Sequence, residues 1–430
     1  MNTSAEQRAT DHLEPLLSLS REEIKSRVRR GTLLAPLRQA FRESGREDCL
    51  ISVTPAGEKY ERESSFLLLN LEFKAPSARL SYQKELILQF LEDEDDSGGP
   101  SIRSWYYPED PELPGLFGLV ASPACLEGIE WNSPGFAPFQ SGEERFIRRL
   151  LYNPGRRVTF LLGARAHEKR RILKIVRRKE FQEDLDKSKA IKRSGIHQSL
   201  TLPQLISYSP EKCFFLYDYL PGLRVDQLGA ERFGEIKPLL YDEVIEILSK
   251  IHQTAIPALP QWAPQIEIGM MSCSEDHLHA RFPKVSAVIR PLFERLSELF
   301  ASRSRSYSGM IHGSFSPKHL LYDAERFASS VKGKLAVIDW DSAALGPREK
   351  DIASFLAGFP GGMNASLDFI QKYDKKTCYS VDQELLNGFM QFRRLMKHCR
   401  KLLRGSEPDP VCLELIKEIG SEINSERRPG

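Results

Sequence analysis

Residues 311–341 constrain this 430-residue chain more than any other stretch. Two short β-rich runs, Ile311–Asp323 (IHGSFSPKHLLYD) and Leu335–Asp341 (LAVIDWD), stand among segments of helical periodicity. The first run carries His312, then Ser314, then His319. The second is an apolar strand that runs into Asp339. Polar groups at the ends of short buried strands are held by a rigid scaffold yet open to a ligand, which is where binding and catalytic residues concentrate. The run Gly346-Pro347-Arg348-Glu349-Lys350-Asp351-Ile352-Ala353 follows.

The flanking sequence falls into three parts. Residues 1–141 read as an accessory region, helical and then irregular to residue 60. Ser20 caps a helix whose Ile24 and Val28 share a face. Two β-rich runs follow, Ser65–Phe73 and Leu86–Leu91, joined by a turn at Ala75-Pro76-Ser77 and succeeded by the acidic loop Glu92–Asp96. Residues 101–145 are rich in Pro and Gly but carry Trp105, Tyr106, Tyr107, Phe117, Trp131 and Phe136, and read as an ordered connector.

Residues 142–222 read as a β-rich lobe in the order β-β-β-α-β. Its strands are Phe146–Tyr152, Arg157–Gly163, Arg171–Val176 and Cys213–Tyr219, with a helix over Lys179–Arg193 and a turn at Asn153-Pro154-Gly155. Residues 223–430 read as helical. Helices are expected over Tyr241–Thr254, over Val285–Phe300 with a kink site at Pro291, and over Ser380–Leu403 with Ser380 and Gln383 as a capping box. A last helix opens with Asp409 as cap and Pro410 at its first position.

Phosphoryl transfer asks for a lysine on the nucleotide phosphates, groups that hold a metal, and a base that orients the acceptor hydroxyl. In the protein-kinase layout the lysine sits on the third strand, a loop H-x-D-x-x-x-x-N follows, and a later Asp ends an apolar strand. Lys174 lies in the third strand of its lobe, and His312, Ser314, His319 and Asp339 come in the same order. On these motifs the segment resembles the aminoglycoside phosphotransferase and choline kinase-like family. That family's loop reads H-G-D-x-x-P-x-N, followed by I-D-[FW]-[DE] and G-x-x-x-x-D-[IL]-A. This chain has His312-Gly313-Ser314-Phe315-Ser316-Pro317-Lys318-His319, Ile338-Asp339-Trp340-Asp341, and the run 346–353. The helix ILSKIHQT (247–254) is similar to the family's L-x-x-L-H helix, and YNPGRR (152–157) to the first hairpin of its maltokinase-like members. The resemblance covers about 142–405.

The resemblance implies a bilobal, protein-kinase-like α+β fold that uses ATP and Mg2+. It implies Lys174 on the phosphates, with Glu183, and next after it Glu180, as its helix partner. Tyr217 and Tyr219 would frame a hinge whose backbone holds adenine. Asp339 would be the principal metal ligand, and Asp341 would add an oxygen. His312 would brace the loop, and Asp351 would brace it or cap the next helix. Two positions depart from the pattern. The catalytic Asp falls on Ser314, a poorer base, and correct base catalysis is worth ~10²–10⁴ in rate. The metal-binding Asn falls on His319, whose imidazole suits Mg2+ less well than oxygen does. Ser314 and Asp339 are then the catalytic candidates. Two readings stand. One is an ATP–Mg2+-dependent phosphotransferase acting on a hydroxyl of a small metabolite of the sugar or amino sugar class. The other is a pseudokinase that binds nucleotide or a protein partner without transfer.

Composition narrows the field. A net charge of +2 excludes a strongly basic DNA-coating protein and an acidic disordered chain. The run 165–179 (RAHEKRRILKIVRRK) holds eight Lys or Arg, but it reads as solvent faces around an apolar strand, so no nucleic acid partner is expected. No apolar run approaches the ~18 residues of a membrane span, and the first residues lack a basic-then-apolar leader. Seven cysteines without a C-x-x-C pair suit a reducing cytoplasm, and they read as small buried hydrophobes.

Overall fold

Apolar runs in extended conformation are stable only when paired and covered on one face. In this computed structural model the runs of the accessory region pair with one another. The structure describes residues 16, 19–43, 49–60, 64–74, 81–91, 101–121, 145–164, 167–228, 230–303, 305–323, 335–358, 362–404 and 409–425. Helices α1 (Arg21–Arg29) and α2 (Leu34–Glu43) precede strands β1 (Cys49–Tyr60), β2 (Ser64–Lys74), β3 (Ser81–Leu91) and β4 (Ser101–Tyr106). The four strands form one antiparallel sheet in sequence order. Leu67 pairs with Leu88 and Leu69 with Leu86. Because side chains alternate along a strand, Leu67, Leu69, Leu71, Leu86 and Leu88 share one face. They bury with Ile24 and Val28 of α1 and Leu37 of α2. The Ser20 hydroxyl caps α1 by accepting the Glu23 N–H at 3.3 Å.

Two expectations are corrected here. Residues 49–60 are a strand, not irregular chain. Pro55 hid it, but β1 is an edge strand whose register shifts between Pro55 and Gly57, where a missing N–H is tolerated. Residues 101–106 are the fourth strand rather than connector, and their Trp105 and Tyr106 are buried. A short helix α3 (Leu116–Ala121) follows, with Phe117 exposed. Trp131, Phe136, the turn at 75–77 and the acidic run 92–96 lie outside the described residues.

Among the described residues the chain divides into two compact units. One draws on 1–166, 173–179 and 208–215. The other comprises 167–172, 180–207 and residues from 216 onward. The first holds the hairpin β5 (Arg145–Asn153) and β6 (Arg157–Ala164), which starts a five-stranded sheet of order β5-β6-β7-β9-β8. The remaining strands are β7 (His167–Val176), β8 (Leu205–Ser209) and β9 (Phe214–Asp218), with α4 (Arg178–Arg193) between β7 and β8. The order is therefore β-β-β-α-β-β, and the short β8 was not legible as a strand.

A buried carboxylate holds the tip of the first hairpin. Asp110 Oδ2 accepts from the Tyr152 hydroxyl and from the Gly155 N–H, both at 2.8 Å. Trp105 Nε1 donates to the same Tyr152 oxygen at 3.2 Å. Gly155 has φ +66°, and an added Cβ would lie 3.4 Å from the Phe66 ring. Burial raises the Asp110 pKa, against the pull of these hydrogen bonds.

In the second unit, helices α5 (Ala230–Gln253), α6 (Gln265–Arg281), α7 (Pro283–Ser302), α8 (Arg348–Ala357), α9 (Gly362–Thr377), α10 (Gln383–Arg404) and α11 (Pro410–Ser425) enclose five short strands. These are β10 (Leu223–Arg224), β11 (Met310–Ile311), β12 (Leu320–Tyr322), β13 (Leu335–Val337) and β14 (Ala344–Leu345), in sheets β10-β12-β13 and β11-β14. An aromatic core of Trp262, Phe300, Phe389 and Phe392 ties α7 to α10, with Phe300 and Phe389 stacked at 4.7 Å. α10 is capped by Asp382, which accepts the Leu385 N–H at 3.1 Å, rather than by Ser380. Asp409 caps α11 as expected, and α7 runs through Pro291. Helices α6 and α9 were not anticipated. Cys213, Cys399 and Cys412 are buried, but Cys378 is exposed. No described helix is long and apolar enough to cross a membrane.

The Asp110 clamp gives a first prediction. Asp110→Ala strands the Tyr152 hydroxyl and the Gly155 N–H, at about 1–3 kcal/mol per unsatisfied buried group. Urea unfolding is expected to show a loss of about 2–4 kcal/mol in the transition of that unit. An unchanged midpoint would show that the clamp is energetically idle.

Candidate active site

The loop between β11 and β12 is built around one carboxylate. Asp351, in the first turn of α8, accepts the His312 N–H at 2.6 Å and the Gly313 N–H at 2.8 Å, one on each oxygen. His252 Nε2, on α5, lies 3.4 Å from Oδ2, and His252 Nδ1 lies 2.7 Å from the Tyr373 hydroxyl. Burial pushes Asp351 up, but the hydrogen bonds and charge of His252 and His312 outweigh it and hold the group below its ordinary value. Gly313 has φ +78°, and a Cβ there would sit 2.1 Å from the Ser342 carbonyl oxygen. Only glycine fits the loop at that position.

The partners decide the tautomers. His312 is fully buried and its Nε2 faces the Ile338 carbonyl at 3.0 Å, so Nε2 carries the proton. Nδ1 is then a lone pair, and it faces Ser314 Oγ at 3.4 Å. Burial, together with the neighbouring His319, holds the His312 pKa down against the pull of Asp351 and Asp339. His319 Nδ1 donates to the Ser314 carbonyl at 2.8 Å. Its Nε2 turns to Asp339 Oδ2 at 3.2 Å, and its ring stacks on His312 with 5.7 Å between centroids. Asp339 follows β13 with φ +66°, a left-handed conformation that Asp tolerates better than most residues.

Residues 154–385 match the model of the phosphotransferase enzyme family. The chain belongs to this family. Its fold is α+β, with the sheets and helices described above. Solved structures similar to it include choline kinase LicA from Streptococcus pneumoniae, at 15% identity and TM-score 0.44, covering 65% of this chain and 93% of that one. Spectinomycin phosphotransferase APH(9)-Ia with ADP and spectinomycin gives 14% and 0.45, covering 66% and 93%. A thermostable mutant of aminoglycoside phosphotransferase APH(4)-Ia gives 13% and 0.47, covering 66% and 96%. No curated protein matches the chain by sequence.

The second unit brings Ser314, His312, His319 and Asp339 together. Asp341 lies beside them in sequence, and its carbonyl accepts from Lys187 Nζ at 3.1 Å. Lys187 also pairs with Glu183 at 2.5 Å, so the exposed Glu183 is engaged one helical turn along α4. Tyr217 is half-buried, with its hydroxyl 3.0 Å from Ser188 Oγ. The Tyr219 ring lies 5.6 Å beneath the Arg170 guanidinium. Lys174 stands in the first unit, buried on β7 at the centre of its sheet, with 8% of its surface exposed.

Mg2+ takes oxygen ligands in near-octahedral array. Here Asp339 Oδ2 is met by an imidazole nitrogen. Among the described residues no three His, Cys, Asp or Glu side chains are grouped to hold a metal. The donor set does not fit Mg2+ held in the phosphotransferase family's Asp–Asn manner.

Sequence reasoning missed His252, although its helix motif was on the page, and it missed Tyr373. It also missed Lys187, which stands four residues after Glu183 on one helix. Asp351→Asn tests the loop's foundation. Losing the charge to which these two buried N–H groups bond is expected to cost about 1.5–3 kcal/mol in urea unfolding at pH 7. A carboxylate with a depressed pKa stabilises above its unfolded value, about 3.9, and loses that effect as pH falls through its folded value. The gap between wild type and variant should therefore narrow below about pH 4. A gap that is constant with pH would remove Asp351 as its source.

Proposed function

We propose that this member of the phosphotransferase family transfers the γ-phosphate of ATP to a hydroxyl of a small metabolite of the sugar class, with Ser314 and His312 standing in for the missing carboxylate. The observation that carries this is the His312 lone pair at Nδ1 facing Ser314 Oγ, fixed there by Nε2–H on the Ile338 carbonyl. An acceptor hydroxyl donates to Ser314 Oγ while Ser314 donates to Nδ1. As the acceptor oxygen bonds to the γ-phosphorus, the bond to the bridging oxygen breaks and ADP leaves with that electron pair. The acceptor proton passes to Ser314, whose own proton passes to His312. Lys174 engages the phosphates, and the backbone from Tyr217 to Tyr219 takes the adenine. Asp341 and Glu183 act through Lys187, which holds both. A neutral relay is a weaker base than a carboxylate, so turnover falls below the ~1–100 s⁻¹ usual for kinases.

One observation favours a second reading. The His319–Asp339 pair engages the carboxylate that the family gives to metal, which suits a pseudokinase that binds nucleotide and serves a protein partner. The metal role first expected of His319 and Asp339 is not carried forward, for the reason of donor chemistry given above.

ADP release with hydroxylated acceptors separates the readings. Ser314→Ala is expected to lower turnover by ~10² or more, and Ser314→Asp to raise it, with ATP affinity unchanged in both. ATP binding with no ADP formed by wild type or Ser314→Asp would select the pseudokinase. Titration calorimetry supplies the other arm. Wild-type affinity for ATP should change little when Mg2+ is removed, Lys174→Ala should abolish binding, and His319→Asn should make binding depend on Mg2+. Absence of ATP binding by the wild type, with or without Mg2+, would sink both readings.

A further inference from the structure

A cavity of about 1100 Å³ opens within the second unit, and Ser314 is part of its wall. Its charge is one-sided. Lys318, Arg393, Arg394 and Lys397 line it, against one carboxylate, Asp226. That carboxylate is gripped at both oxygens by Arg224, at 3.0 Å each. Arg393 and Lys397 make no ion pair among the described residues. The carboxylates that act on Arg393 from a distance are already committed. Glu267 pairs with Lys350 at 2.8 Å and accepts from Trp262, while Asp351 holds the loop. Burial pulls the Arg393 guanidinium below its ordinary value, so its charge is held at a cost that a bound anion would offset.

Two further polar groups in the same wall, Ser316 Oγ and His398 Nδ1, are buried and make no hydrogen bond among the described residues. Burial and the neighbouring Lys397, Arg394 and Lys401 hold the His398 pKa down. Buried polar atoms without partners are uncommon in folded proteins and mark places where a ligand completes the bonding. Along α10 the basic residues run Arg393, Arg394, Lys397, His398, Arg400 and Lys401. They are the polar complement of the apolar stripe that packs on α7 and α8. Arginine presents a planar fork of donors that matches phosphate and carboxylate, and a cavity lined by one sign of charge concentrates the opposite ion.

We propose that this cavity is the acceptor site and that it takes an anionic, hydroxylated small molecule bearing phosphate or carboxylate, with the anionic group on Arg393 and Lys397 and a hydroxyl presented to Ser314. This rests on the phosphotransferase reading for the hydroxyl, but the anion site stands on the cavity alone. An amino sugar would bring a cation among cations, so the amino branch of the sugar class is disfavoured. The volume suits a sugar phosphate or a somewhat larger conjugate.

The test is binding to the full chain, measured by calorimetry with a matched set: glucose, glucosamine, glucuronate, glucose 6-phosphate and inorganic phosphate. Glucose 6-phosphate and glucuronate are expected to bind at least ~10-fold more tightly than glucose, glucosamine least of all, with affinity falling as salt rises. Arg393→Gln and Lys397→Gln should each weaken the anions by ~10–100-fold and leave ATP affinity unchanged. Lys397 is exposed, so its variant guards against a folding defect in Arg393→Gln. Inorganic phosphate binding without glucuronate binding assigns the anion as phosphate; comparable binding of both assigns the charge alone. The proposal is overturned if glucose or glucosamine binds as well as the anions, or if no anion binds. It is also overturned if the variants bind anions normally, or if they lose ATP together with the anions, which would make this a nucleotide pocket. Anion binding by a wild type that fails to bind ATP would leave the anion site standing and remove both the phosphotransferase reading and the acceptor role of the cavity.

Discussion

The buried Asp351 carboxylate is the point on which the candidate site depends. A carboxylate without solvent is costly unless its oxygens are met by donors, and here two backbone N–H groups and a histidine meet them. Those N–H groups belong to His312 and Gly313, so the requirement to satisfy one charge fixes the path of the loop. With the backbone fixed, the His312 ring reaches the Ile338 carbonyl, and Ser314 is set beside it. The helix α5 contributes through His252, which Tyr373 on α9 in turn orients. Three helices and one loop thus share a single electrostatic constraint.

Within that frame, the two departures from the family pattern have consequences of different kinds. Replacing a carboxylate by Ser314 removes a charge, and the hydroxyl acquires direction only because a neutral imidazole faces it. Replacing an amide by His319 does the reverse. An imidazole held at Nδ1 by a carbonyl must turn its other nitrogen outward, and Asp339 is what it finds. On the proposed reading, one substitution leaves a weaker base and the other engages an oxygen that the family pattern gives to a metal.

Away from this loop, Asp110 takes the Tyr152 hydroxyl and the Gly155 N–H of the first hairpin, and Trp105 of the accessory sheet donates to the same Tyr152 oxygen. In the other unit, α10 presents one face to the aromatic core and its basic face to the cavity wall. A helix read for its apolar stripe alone shows only half of that arrangement.

What the amino-acid order determined by itself is local. Spacing in the run from His312 to Asp351 was enough to identify the family, because these residues are close in sequence and each depends on its neighbours for backbone geometry. The Ser20 and Asp409 caps and the strands of the first hairpin were legible for the same reason. Strand β1 was not, because Pro55 is permitted only by an edge position that pairing creates, and β8 was too short to show a period. The tertiary structure alone decided the tautomers of His312 and His319, the meeting of Lys187 with the Asp341 carbonyl, and the gathering of Lys318, from the loop, with Arg393 and Lys397 of α10 around one cavity. Those outcomes depend on which groups meet in the folded chain, and hydrogen-bond direction and buried charge are properties of the meeting, not of either residue.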